Sequence, residues 1–165
     1  MESIPPEGRL LLVNKPYEWT SFDVVRKLRN KLKIKKIGNA GTLDPLATGL
    51  LIVCAGKMTK QIDSFMGLEK EYTGKFVIGQ TTETLDLESE PSAPVDISHI
   101  TPEDLQRAAQ KWTGNIQQLP PAHSAIKVQG KRAYALAREG KEVELKPREV
   151  VISVFEITSI KLPEV

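Results

Sequence analysis

The stretch of this 165-residue chain best equipped for chemistry is IGNAGTLDPLATGLLIVCAG, residues 37–56. It sets one carboxylate, Asp44, between a glycine-rich turn and an apolar run. An aspartate directly before a proline is pushed toward extended backbone, so Pro45 would hold the Asp44 side chain outward where a loop enters a strand. Gly38 and Gly41 would let a ligand come close to the preceding backbone. The geometry suits an attacking carboxylate, provided it stays ionised beside a pocket that excludes water. Aspartate and proline also favour ordinary turns, and read locally a turn is the simpler account of Asp44.

Few other residues compete. The single cysteine, Cys54, lies inside the apolar run; it excludes an internal disulfide framework and a cysteine-built zinc site, and is expected as a buried, inert thiol. His99 falls in an acidic segment and carries no assignment. Trp19 and Trp112 are expected as core or helix-staple residues. No ligand set for a metal or cofactor stands out, and none is expected. No N-terminal stretch has a signal-peptide pattern and no apolar run approaches membrane-spanning length, so a soluble cytoplasmic protein is expected.

Charge is nearly balanced, with 23 basic and 21 acidic residues, but it is segregated. No acid occurs from Val24 to Leu43, and seven basic residues fall between Arg26 and Lys36, among them Lys33, Lys35 and Lys36. No Lys or Arg occurs from Phe76 to Gln106, where seven acids accumulate. A surface of this kind suits a polyanionic partner; two merely solvated faces would read the same way.

The elements that must position these residues are partly legible. RLLLV (9–13) reads as a buried strand ended by Lys15-Pro16, and GLLIVCAG (49–56) as a second. TSFDVVRKLRNKL reads as a helix capped by Thr20, with Asp23 at its positive end and Phe22, Val25, Leu28 and Leu32 on its buried face. TKQIDSFM suggests a helix burying Ile62, Phe65 and Met66. KEYTGKFVIG reads as a strand, and 81–100 as a long surface loop. TPEDLQRAAQKWTG has a capping Thr101, Pro102 in its first turn and Gly114 as its stop; Leu105, Ala108, Ala109 and Trp112 would be its buried stripe. KRAYALAREG (131–140) suggests a shorter helix, and 149–162 one long or two short strands. The mixture lacks a strict βαβ rhythm, which predicts an α+β fold with a mixed, largely antiparallel sheet flanked by helices.

GNAGTLDPLATGLL resembles the signature of pseudouridine synthases, in particular the bacterial tRNA pseudouridine-55 branch, which reads roughly Gly-His-x-Gly-x-Leu-Asp-Pro-x-Ala-x-Gly. The match runs from Gly38 to Gly49 and puts Asp44 in the place of the catalytic aspartate. NKPYEWTSFDVV resembles the family's Lys-Pro motif through Lys15 and Pro16, which either shape the Asp44 loop or only end a strand. KEYTGKFVIG puts Tyr72 in the place of the aromatic that stacks on the target base. PPAHSAIKVQGKRAYALAREG resembles a thumb-like insertion, about residues 118–141, that lies against the tRNA T-arm. Two departures stand out. Asn39 replaces the family's usual His, keeping hydrogen-bonding capacity without titration. The family continues into a Lys-Gly-x-Tyr-Ile-Arg strand, whose Arg pairs with the aspartate, and into a C-terminal RNA-binding region. Neither falls within residues 1–165, which read as a single, truncated catalytic domain.

The resemblance implies isomerisation of the T-loop uridine, residue 55 of tRNA, to pseudouridine on a flipped-out nucleotide. It implies no cofactor and a monomer bound to the T-arm stem-loop. Asp44 would act as nucleophile or help deprotonate the sugar, and the residues do not choose between them. Asn39, Gly41, Thr42, Leu43 and Tyr72, with Lys15 and Pro16, would form the substrate pocket. Lys33, Lys35, Lys36, Lys127, Lys131, Arg132 and Arg138 would contact RNA, and His123 either joins them or is a solvated loop residue. A non-catalytic RNA-binding module is the competing reading, favoured by Asn39 and the absent Arg strand. A structural or protein-interaction domain would require the basic helix to be a solvated face only.

Overall fold

The computed structural model describes residues 5–120 and 145–165, together with the backbone of 127–128 and 131–132. The chain divides into two compact units, Met1–Tyr72 and Thr73–Val165. The first contains strand β1 (Arg9–Lys15), helix α1 (Ser21–Leu32), strand β2 (Ile37–Ala40) and strand β3 (Gly49–Ala55). A 3-10 helix (Gly56–Gln61) and the short helix α2 (Ile62–Met66) follow, so the helix expected there divides in two. Ile62 and Phe65 are half-buried, but Met66 is exposed.

All three strands are antiparallel, in the order β1-β3-β2. The register opposes Val13 to Leu51, Leu11 to Val53 and Ile37 to Ala55, which puts these residues on one face. Against that face α1 lays Val24 and Val25, closing a core joined by Leu28, Ile34, Trp19 and Leu43. The run RLLLV is therefore buried on one side only, and Leu10 and Leu12 are exposed. Helix α1 starts where expected. Thr20 accepts from the Asp23 amide and Asp23 answers to the Thr20 amide, a complete capping box. Its buried stripe is rotated from the expected one: Val24 faces the core, and Phe22 is 58% exposed. Lys33, in left-handed conformation, ends the helix with its amide on the Arg29 carbonyl.

The second unit holds α3 (Pro102–Lys111), β4 (Gly114–Gln118), the short pair β5 (Lys127–Val128) and β6 (Lys131–Arg132), and β7 (Arg148–Ile152). Helix α3 has the expected cap, in which Thr101 and Asp104 bond reciprocally. Ala109 is its buried residue, while Ala108 and Trp112 are exposed. Lys131 and Arg132 lie on a strand paired with β5 rather than opening a helix; residues 133–140 fall outside the described residues. β7 stops level with its five-residue partner β4, shorter than the expected run to 162. The strand expected from KEYTGKFVIG reduces to a brief pairing. The Phe76 amide donates to the Val165 carbonyl (2.9 Å) and the Ile78 amide to the Pro163 carbonyl (2.8 Å). An extended segment is a strand only over the length of its partner, and residues 163–165 give it three positions.

Candidate active site

Asp44 stands in the loop between β2 and β3, exposed to solvent. Gly41 leads the chain out of β2 at φ +86°, a conformation that side-chain-bearing residues rarely adopt. Half-buried Asn39 donates from its side-chain amide to the Gly41 carbonyl and so braces that turn from inside. Beyond Asp44, the Ala47 amide closes a turn on the Asp44 carbonyl at 3.1 Å. Gly38 admits protein rather than ligand: a Cβ there would meet the Ile62 Cδ1 at 3.1 Å.

The residues flanking Asp44 are each tied to a different element. On the N-terminal side, the Ser21 hydroxyl of α1 accepts from the Leu43 amide (2.9 Å) and donates to the Leu43 carbonyl (3.1 Å). The Leu43 side chain packs on the core formed by α1 and the sheet. On the C-terminal side, Lys15 Nζ donates to the Pro45 carbonyl (3.0 Å), and also to the carbonyls of Pro16 (3.0 Å) and Trp19 (2.5 Å). Lys15 alternates onto the same strand face as Leu11 and Val13, at the end of the buried stripe, and is 0% exposed. The Lys-Pro motif therefore does more than end a strand, since its ammonium gathers three carbonyls beneath the Asp44 loop. Burial pushes the Lys15 pKa down, and the charge of Asp44 opposes that shift.

Between these anchors the Asp44 carboxylate takes no hydrogen bond or salt bridge among the described residues. Its backbone is held while its functional group is left free. Ser21 was not singled out by sequence reasoning. The available signal was a second hydroxyl directly after the Thr20 cap, on the helix side that turns to the core.

Other expected residues are placed differently. Thr42 is exposed beside Asp44. Tyr72 is 70% exposed and lies in irregular chain at the end of the first unit. Among the described residues, no hydrogen bond or ring contact ties it to the Asp44 loop. Lys33, Lys35 and Lys36 are exposed at the end of α1 and just beyond it. Of the thumb-like segment, only the backbone of Lys127, Lys131 and Arg132 is described; His123 and Arg138 lie outside the described residues. Cys54 is fully buried, and its surroundings push the thiol pKa up, as an inert core thiol requires. Trp19 packs against the core with Lys27 Nζ 5.0 Å from its ring centroid. No group of three His, Cys, Asp or Glu among the described residues could hold a metal ion.

Residues 29–165 match the family model described as TruB family pseudouridylate synthase, N terminal domain. The chain belongs to this family. The tRNA pseudouridine synthase B of Parabacteroides distasonis is 51% identical over 162 residues, covering 94% of this chain and 69% of that protein. The Bacteroides fragilis protein of the same name is 50% identical over 165 residues, covering 96% and 71%. A solved chain from a Cbf5–Nop10–Gar1 complex superposes with a TM-score of 0.62 at 24% identity, covering 96% of this chain and 37% of its own. That likeness bears on the fold, and the fold is the α+β pseudouridine synthase fold expected from the sequence. The TruB family is one of isomerases, and the family expected from GNAGTLDPLATGLL is the one found. No helix among the described residues of this TruB-family chain is long and apolar enough to cross a membrane.

Proposed function

We propose that this protein isomerises the T-loop uridine of tRNA, residue 55, to pseudouridine, with Asp44 as the catalytic carboxylate. The observation that carries the reading is the double anchoring of Asp44, whose neighbours are fixed by Ser21 and Lys15 while its carboxylate stays exposed. A catalyst of this kind gains from holding its reactive group in place before substrate arrives.

The reaction breaks the bond from ribose C1′ to N1, turns the base, and joins C1′ to C5. The C5 proton is lost and N1 gains one, so no redox partner or transferred group is needed. Asp44 serves either as nucleophile at C1′ or as the base that helps deprotonate the sugar. The target nucleotide has to leave its stack before C1′ can be reached. Exposed Tyr72 offers a face for the extruded base, worth about 1–3 kcal/mol of stacking. Asn39, Gly41, Thr42 and Leu43 line the approach to Asp44, and Pro16 continues the Lys15 clamp. Phosphates meet Lys33, Lys35 and Lys36 on the first unit and Lys127, Lys131, Arg132, Arg138 and His123 on the thumb-like segment of about 118–141. The names of the relatives, tRNA pseudouridine synthase B, support tRNA as the substrate.

The test is turnover of a T-arm stem-loop by Asp44→Ala. The expected result is loss of pseudouridine formation with RNA affinity retained. Turnover equal to the unsubstituted protein would show that Asp44 is not the catalyst and would leave the basic surface as a binding module.

A further inference from the structure

We propose that Ser21 is the positioning residue that sets where the Asp44 carboxylate is presented. The inference rests on the reading of Asp44 as the catalytic group. Ser21 is the first residue of α1 and is 3% exposed. A serine at a helix start usually spends its hydroxyl on capping. Here Thr20 and Asp23 complete the capping box by themselves. The Ser21 hydroxyl is thereby released, and both its capacities go to one residue: it accepts from the Leu43 amide at 2.9 Å and donates to the Leu43 carbonyl at 3.1 Å.

Two hydrogen bonds from one atom to both backbone groups of Leu43 fix the position and the plane of that residue, as a neighbouring strand would. The Leu43 side chain, packed on the core, removes the remaining freedom. The next Cα belongs to Asp44. Its ψ is restricted by Pro45, and the Pro45 carbonyl is held in turn by Lys15. Lys15 binds three carbonyls and secures the strand end generally. Ser21 acts on the residue next to Asp44 alone, so its loss frees the Leu43 backbone from α1 without unmaking the helix cap.

Two variants of the full chain separate this role from simple stability, each assayed for kcat and KM on a T-arm stem-loop and for thermal midpoint. Ser21→Ala should lower kcat on the order of ten- to hundred-fold, the effect of a displacement near 1 Å, with KM within about two-fold. Thr20→Ala, which removes the cap of the same helix without touching Leu43, should lower the midpoint at least as far yet keep kcat within about two-fold. An unchanged kcat in Ser21→Ala overturns the proposal. So does an equal kcat loss in Thr20→Ala, or a change confined to KM. If Ser21→Ala does not fold, Ser21→Cys, which fills the same space with a weak donor, is read by the same criteria. Asp44→Ala is run in parallel. If it retains turnover, the catalytic reading falls and the Ser21 role with it; if it is inactive while Ser21→Ala is normal, only the Ser21 role falls.

Discussion

Lys15 is a buried ammonium whose nearest polar company is three backbone carbonyls, with the Asp44 carboxylate the charge that acts on it. Taking a cation out of water is unfavourable unless its donors are met, and three acceptors match the three N–H bonds of an ammonium. Desolvation still dominates, so the folded chain gives up this proton at a lower pH than the unfolded chain does. Between that lowered value and the free-lysine value of about 10.4, the unfolded state binds more protons, and stability contributed by this group rises with pH. At lower pH the lysine is charged in both states and its contribution is flat. Lys15→Met removes the titration. Denaturation curves collected from about pH 8 to pH 10.5 should show the unsubstituted protein gaining stability relative to Lys15→Met as pH rises. A pH-independent difference would mean that the buried amine is not desolvated in its charged form.

At the scale of elements, local signals and partner-dependent ones part company. Thr20, Asp23, Thr101 and Pro102 announce α1 and α3, because a cap is satisfied within four residues of itself. β3 was legible from GLLIVCA because both its sheet neighbours lie in the same unit. KEYTGKFVIG has the pattern of a strand but pairs only briefly, because strand length depends on a partner distant in sequence, residues 163–165. The same distinction applies to the site. Asp44 and Lys15 show in the motifs, whereas Ser21 emerges only once α1 has docked against the sheet. Gly8 shows how tightly another junction, that of β1 with the 3-10 helix, is specified. It precedes β1 at φ +93°, and a Cβ there would strike the Ala55 carbonyl while lying 2.6 Å from the Met58 amide and 2.8 Å from the Lys57 amide. All three are backbone atoms at the start of the 3-10 helix and cannot swing aside. Gly8→Ala should therefore destabilise the protein by about 2–3 kcal/mol, read as a lower urea midpoint. An unshifted midpoint would mean that the junction of β1 with the 3-10 helix is loose.

For the whole molecule, charge distribution says more than net charge. The first unit carries 12 basic against 8 acidic side chains, and the second 11 against 13. The excess in the first unit is concentrated along α1 and the segment after it, where no acid interrupts from Val24 to Leu43. Among the described residues Lys33, Lys35 and Lys36 are exposed and enter no salt bridge, so no described acid pairs with them. Ion pairing would have made this a self-satisfied solvated face; its absence leaves the charge available to phosphates. RNA that seats there releases counterions, and affinity falls linearly with salt on a log–log plot. Replacing Lys33, Lys35 and Lys36 together by alanine should reduce the magnitude of that slope by about two to three, one contact per lysine. At saturating RNA, kcat should not change, because the anchors of Asp44 come from Ser21 and Lys15. A slope equal to that of the unsubstituted protein would place the RNA elsewhere and leave this face to solvent. A lower kcat at saturation would mean instead that phosphate contacts just beyond α1 help align the nucleotide with Asp44, coupling binding to the chemical step.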